Sequence, residues 1–179
     1  MKKTIFATTL ILAVIGSIST AQAQNNVVKI NILSPIVRTI SVFYENAIQE
    51  DKSFQLGFFY TGASVTDTKF RGFGITPEFR FYLSETSAPE GVYVAPFLKY
   101  QNFDLTEEIT DSKATLSTFG GGVVIGKQWL FKEKITLDAF LGPNFNSGDV
   151  KVESGNASFS TGAFEGFGLR LGLTFGLAF

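Results

Sequence analysis

The side chains in this sequence that could carry chemistry are carboxylates, lysines and arginines, because it contains no histidine and no cysteine. Without histidine there is no Ser-His-Asp or Cys-His catalysis and no imidazole to hold a metal; without cysteine there is no thiolate ligand and no disulfide. Paired carboxylates such as Glu78 and Asp138 keep the means for acid–base work, but arginine and lysine on the same strand faces read as their salt-bridge partners. Asp104, Glu107, Glu108 and Asp111 offer oxygen ligands of the kind Ca²⁺ takes, yet their spacing is not that of an EF-hand loop, and the cluster reads as a solvated acidic loop. Gly72-Phe73-Gly74 and Gly120-Gly121-Gly122 neither open a helix nor precede a Gly-Lys-Ser/Thr, so neither is a phosphate loop. Asn156-Ala157-Ser158 fits a glycosylation sequon without further support. The reading is of a non-enzyme, with no catalytic residue, cofactor or metal.

Eight charged residues, Lys29, Glu45, Glu78, Arg80, Lys99, Lys127, Asp138 and Arg170, sit on alternating positions of extended segments, all on one expected face. Charges gathered in a low-dielectric interior have to pair. A ring of about eight strands has room for side chains and not for a wide pore. The expectation is a lumen filled by paired charges, with a selective path for a small solute as the sharper alternative.

The elements that would position them follow from a period of two. From Phe167 to Phe179 every odd position is Phe or Leu, while the even positions carry Gly, Arg170, Thr174 and Ala178. A soluble strand would put polar side chains opposite its apolar face, and glycines suit that place poorly. A strand facing lipid outside and a crowded lumen inside explains both faces. The alternation recurs upstream and gives eight strands, roughly 27–34, 38–47, 53–62, 71–83, 91–103, 115–130, 134–145 and 163–179. The stretch 116–128 is the least regular. Pro77, Pro96 and Pro143 fall inside strands and call for bulges or strand ends, because proline removes a ladder hydrogen bond. Loops 103–114 and 145–162 are the longest and would carry recognition.

The first residues read as a secretory signal: Lys2 and Lys3, an apolar run from Ile5 to Ile18, then Ala21-Gln22-Ala23 as a small-x-small cleavage site. The expected organisation is a signal peptide at 1–23 and one barrel domain at 24–179. Loss of Lys2 and Lys3 leaves 13 basic against 16 acidic residues, which gives no basic patch for nucleic acid.

The segments 29–35 (KINILSP), 74–83 (GITPEFRFYL) and 91–100 (GVYVAPFLKY) resemble an uncharacterised Bacteroidetes family of small outer-membrane barrels, known as a domain of unknown function. The terminal Phe179 resembles the aromatic signal by which outer-membrane barrels are recognised for insertion. The resemblance implies an eight-stranded barrel of the OmpA/OmpX type and supplies no catalytic residues. The fold expected is therefore all-β, an eight-stranded antiparallel up-and-down transmembrane β-barrel preceded by a cleavable signal peptide. Its expected location is the outer membrane. The expected partners are outer-membrane lipid and lipopolysaccharide, the barrel-insertion machinery, and a surface partner at 103–114 and 145–162. The function read from this is structural or surface-interacting; the alternatives are a narrow channel and a soluble periplasmic, lipocalin-like binder of an apolar ligand.

Overall fold

The computed structural model of the chain describes residues 25–65, 68–107, 112–154 and 165–179. The signal segment 1–23, Glu108, Asp111 and the Asn156-Ala157-Ser158 sequon lie outside the described residues. Eight strands succeed one another: β1 (Asn26–Asn31), β2 (Thr39–Gln49), β3 (Lys52–Val65), β4 (Thr68–Tyr82), β5 (Gly91–Glu107), β6 (Ser112–Phe131), β7 (Ile135–Ser154) and β8 (Gly166–Ala178). Each pairs antiparallel with the next, and β8 returns to β1, so the sheet closes on itself in up-and-down order. At the lower rim Asn26 and Phe179 are tied together by a reciprocal pair of backbone hydrogen bonds.

Closure imposes a stagger. The register runs from Val27 through Glu45, Gln55, Glu78, Phe97, Gly122 and Asn144 to Gly168 on β8, whereas Val27 itself pairs with Ala178. The ten residues from Gly168 to Ala178 are the shear that tilts the strands, and an eight-stranded ring of this kind leaves an interior that side chains fill.

The three strand prolines produce neither bulges nor strand ends, contrary to the sequence expectation. The irregularities lie elsewhere, at Ala47/Gln49 and Lys113/Ala114. Pro77 pairs with Leu56 on β3, Pro96 with Val123 on β6, and Pro143 with Leu169 on β8. On its other side each proline faces a short gap in the ladder, at the β4–β5 seam for Pro77 and Pro96 and at the β6–β7 seam for Pro143. The register is the same on both sides of each gap. The missing donors are thus absorbed locally, and the alternation of faces passes through all three sites unbroken.

The outer face is apolar in a band. It runs from Phe73 to Phe81 on β4, from Val92 to Tyr100 on β5 and from Ile135 to Phe145 on β7. The band ends upward at Tyr60, Phe73, Tyr100, Phe119, Phe145 and Phe167, a ring of aromatics linked by register: Tyr60 pairs with Phe73, Tyr100 with Phe119 and Phe145 with Phe167. Directly above it the outward residues are Arg71, Asp104, Ser117, Ser147 and Asp149. The inner face changes in the opposite sense. Low in the barrel it carries the buried charges beside a cluster of Tyr82, Tyr93, Ala95, Phe97, Val124 and Phe140, and above the aromatic ring it becomes the wholly apolar cluster Phe70, Phe103, Leu105, Ala114 and Leu116.

This exchange of faces explains where the expected loops went. Residues 103–107, 112–114 and 145–154, expected in loops, are strand. The period of two persists through Phe103 and Leu105, and Ala114 and Leu116, with the apolar series now buried on the inside; Val150 and Val152 continue that series on β7 but stand exposed at the rim. β6 and β7, each 20 residues long, rise well above the six-residue β1, so the barrel has one tall wall and one low one.

Candidate functional site

The low half of the lumen holds a connected set of ion pairs. Lys29 on β1 lies 2.5 Å from Glu45 on β2 and 3.4 Å from Asp138 on β7. Arg80 on β4 reaches Glu78 at 2.7 Å, Asp138 at 3.0 Å and Glu45 at 3.4 Å. Arg170 crosses from β8 to Glu78 at 2.6 Å. Three cations meet three carboxylates. The side chains of Lys29, Glu45, Arg80 and Asp138 are wholly buried, so the charges have to balance for the network to persist there; one donor, Arg80 Nη2, is buried without a hydrogen-bond partner.

Neutral side chains complete it. Glu45 also accepts from Ser53 at 2.5 Å and from the Tyr82 hydroxyl at 2.6 Å; Asp138 accepts from the Tyr93 hydroxyl at 2.8 Å. Gln128 accepts from Lys29 at 2.8 Å and Arg80 at 3.2 Å, and donates to the Pro89 carbonyl at 2.7 Å. The guanidinium of Arg80 lies 4.2 Å from the centre of the Tyr93 ring, and that of Arg170 lies 4.2 Å from the centre of Phe97. Cations held over ring faces and between carboxylates are fixed in position, which suits a plug better than a path.

Glycines make the room. A Cβ at Gly176 would meet the Lys29 side chain and the Thr136 hydroxyl, and one at Gly126 would meet the Tyr93 ring. The lower mouth is closed by the turn between β4 and β5. Pro89 is buried, Ala88 packs against the Tyr82, Tyr93 and Phe97 cluster, and the Ala88 amide donates to the Glu50 carbonyl. The stretch 84–90, long for its side of the barrel, is thus a lid over the network.

Of the eight charges expected inside, Lys29, Glu45, Glu78, Arg80, Asp138 and Arg170 come together. Lys99 also faces inward but joins no ion pair among the described residues. Lys127 is a correction: it stands exposed on the outer face, its ammonium 5.3 Å from the Trp129 ring. On β6 the even positions point inward, so Gln128 occupies the place assigned to Lys127. Phe179 is in register with Asn26 at the lower rim. Among the described residues no three histidine, cysteine, aspartate or glutamate side chains are grouped to hold a metal ion.

Residues 8–152 match the family model described as a protein of unknown function, DUF3575. The chain belongs to that family. The match runs from before β1 to the upper part of β7 and leaves β8 outside it, so in this DUF3575 chain it covers every member of the ion-pair network except Arg170. No curated protein matches the chain.

Residue reading alone missed Gln128, Ser53 and the roles of the Tyr82 and Tyr93 hydroxyls. Both tyrosines stand in the inward series of their strands, and a buried tyrosine usually finds a hydrogen-bond partner. Gln128 had a signal too, since the odd series of β6 (Phe119, Val123, Ile125, Trp129 and Phe131) is the apolar one and throws Gln128 to the opposite face.

Proposed function

We propose that this chain is an exported, non-enzymatic outer-membrane β-barrel whose lumen is plugged by the ion-pair network and whose tall upper rim meets surface partners. The observation that carries the proposal is the exchange of polarity at the aromatic ring. Below the ring the wall is apolar outside and charged inside, the arrangement of a barrel in lipid; above it the wall is polar outside and apolar inside, as for a barrel in water. The apolar runs on β4, β5 and β7 are nine, nine and eleven residues long, which suits the ~9–11 residues a tilted strand needs to cross a bilayer. Trp129 and Phe131 border the band below, and an interfacial lysine such as Lys127 can extend its ammonium toward the headgroups. Arg71, Lys113 and Lys151 stand outward above the ring, where lipopolysaccharide phosphates would lie. Cleavage of residues 1–23 and recognition of Phe179 for insertion belong to the same reading.

The plug argues against the channel reading, and the charged lower lumen against an apolar-ligand carrier. The test is fractionation of cells making the full chain, with gel migration compared before and after boiling, followed by planar-bilayer recording. Outer-membrane recovery with a faster unboiled band and no steady conductance is expected. A soluble protein without the shift would refute the membrane reading, and steady conductance would replace the plug by a channel.

A further inference from the structure

Between the ion-pair network and the upper apolar cluster lies a middle layer of the lumen with different chemistry. Its inner face carries Lys99 and Gln101 on β5, Thr118 on β6, and Asn144 and Asn146 on β7, with glycines at 74, 120, 122, 168 and 172. Lys99 joins no ion pair among the described residues; the Glu165 carboxylate borders the layer from above, 3.0 Å from a Cβ placed on Gly148, the register partner of Thr118. Below it, three cations already balance three carboxylates, so Lys99 is a surplus positive charge facing the lumen. Arg170 borders the same space. It donates to Glu78 through Nη1 alone, and its guanidinium lies over Phe97, the inward neighbour of Lys99 on β5.

A second unpartnered group stands beside Lys99. Lys99, Gly120 and Asn146 are register neighbours across β5, β6 and β7. The Asn146 Oδ1 leans over Gly120, where a Cβ would meet it at 2.5 Å. That oxygen is buried and accepts no hydrogen bond. The Asn146 amide nitrogen is engaged with Asn144 at 3.1 Å. Lys99, which joins no ion pair among the described residues, and the buried Asn146 acceptor thus stand on either side of Gly120 in the register, and the absence of a Cβ at Gly120 is what lets the Asn146 oxygen lie over it. Lys99, Arg170 and, on the low wall, Asn31 and Ser41 are all partly exposed, so the layer is reached from the upper mouth beside the short β1 and β2.

We propose that this layer is a binding site for a small oxyanion that keeps a proton, of the hydrogen phosphate class. Lys99 and the remaining donors of Arg170 hold the charged oxygens, and the anion's own hydroxyl donates to Asn146 Oδ1. The network beneath closes the site, which makes it a cup open upward and not a passage. The site is built from lumen residues alone and does not depend on where the barrel resides.

The experiment is calorimetric titration of the full chain, folded in a zwitterionic detergent at low salt, with inorganic phosphate as the probe. One-to-one binding is expected, weakened about tenfold or more in Lys99→Met, as loss of a charge-assisted contact implies. It should be kept in Lys99→Arg and unchanged in Lys127→Met, with the boiling-dependent gel shift confirming that each variant folds. Sulfate has no proton to donate at neutral pH and should bind more weakly; equal binding of sulfate overturns the role given to Asn146. Titration with phosphatidic acid vesicles separates the two sources of a phosphate group. Uptake of free phosphate supports the site, whereas binding of the lipid alone, no binding of phosphate at millimolar concentration, or equal binding by wild type and Lys99→Met overturns it.

Discussion

Replacing Glu45 by glutamine tests whether the ion-pair network holds the barrel together. The shape is nearly kept, so the change isolates charge and hydrogen bonding. Glu45 accepts from four side chains: Lys29 at 2.5 Å, Ser53 at 2.5 Å, Tyr82 at 2.6 Å and Arg80 at 3.4 Å. An amide offers one oxygen and one NH₂: turned toward Lys29 and Arg80 the NH₂ meets two cations that can only donate, and turned toward Ser53 and Tyr82 it needs both hydroxyls to rotate and accept, while the oxygen left to the cations carries no charge. The change also leaves three buried cations with two carboxylates in a wholly buried setting. Removing one partner of such a pair costs about 3–5 kcal/mol. Ser53→Ala takes away a single neutral donor and should cost about 0.5–1.5 kcal/mol. Lys127→Met, on the exposed outer face, should stay within about 0.5 kcal/mol. The three variants are compared by urea titration in lipid vesicles, read by the fluorescence of Trp129, the only tryptophan in the chain. The slope should be unchanged and only the midpoint should move. A Glu45→Gln shift no larger than that of Ser53→Ala would refute the reasoning, because the network would then be carrying no more than an ordinary surface bond.

Other outcomes follow from the same geometry. On β7, Leu141→Arg lies within the apolar band and should destabilise the inserted barrel by about 2–4 kcal/mol, whereas Ser147→Arg, above the aromatic ring, should cost about 0–1 kcal/mol; equal costs in vesicle refolding would remove the proposed boundary. Gly126→Val places a side chain against the Tyr93 ring and should cost about 1–3 kcal/mol by overpacking, seen as a lower urea midpoint. Gln128→Ala leaves the Pro89 carbonyl without its donor and should speed amide exchange across 84–90 without altering exchange in β5.

Why the strand plan was legible, and its upper limits were not, comes down to period against polarity. β8 shows the plan best, since Phe167 to Phe179 alternate without a break, and the same rule placed seven of the eight charges on the inner face, six of them in the network. The prolines looked like interruptions only because a donor had to be lost. Register is kept across the gaps at the β4–β5 and β6–β7 seams, so the loss stays local to each site. The upper ends went astray for a different reason. Asp104, Lys113 and Asp149 look like loop residues if polar means loop, yet Phe103, Ala114 and Val150 keep the two-residue period beside them. What changes there is the polarity of each face, and a sequence reading that keeps one face apolar throughout ends the strands too soon.

The misplaced Lys127 shows the limit from the other side. A rule that charged strand residues point inward fails wherever a lysine can run along the wall to an interface, and the aromatic series around Lys127 was the better guide. Which charges touch is a further step. Lys29 and Asp138 stand 109 positions apart, and Arg80 reaches across the lumen to Gln128 rather than along its own strand. Only the stagger of the closed ring, which brings β1 and β7 to one level, sets these partners. An alternation pattern fixes the face of each residue and not that level. Charge balance supplies the remaining constraint: with Lys127 outside and Lys99 above, the six networked charges are three of each sign, and the surplus falls on Lys99, which faces the lumen without an ion pair among the described residues.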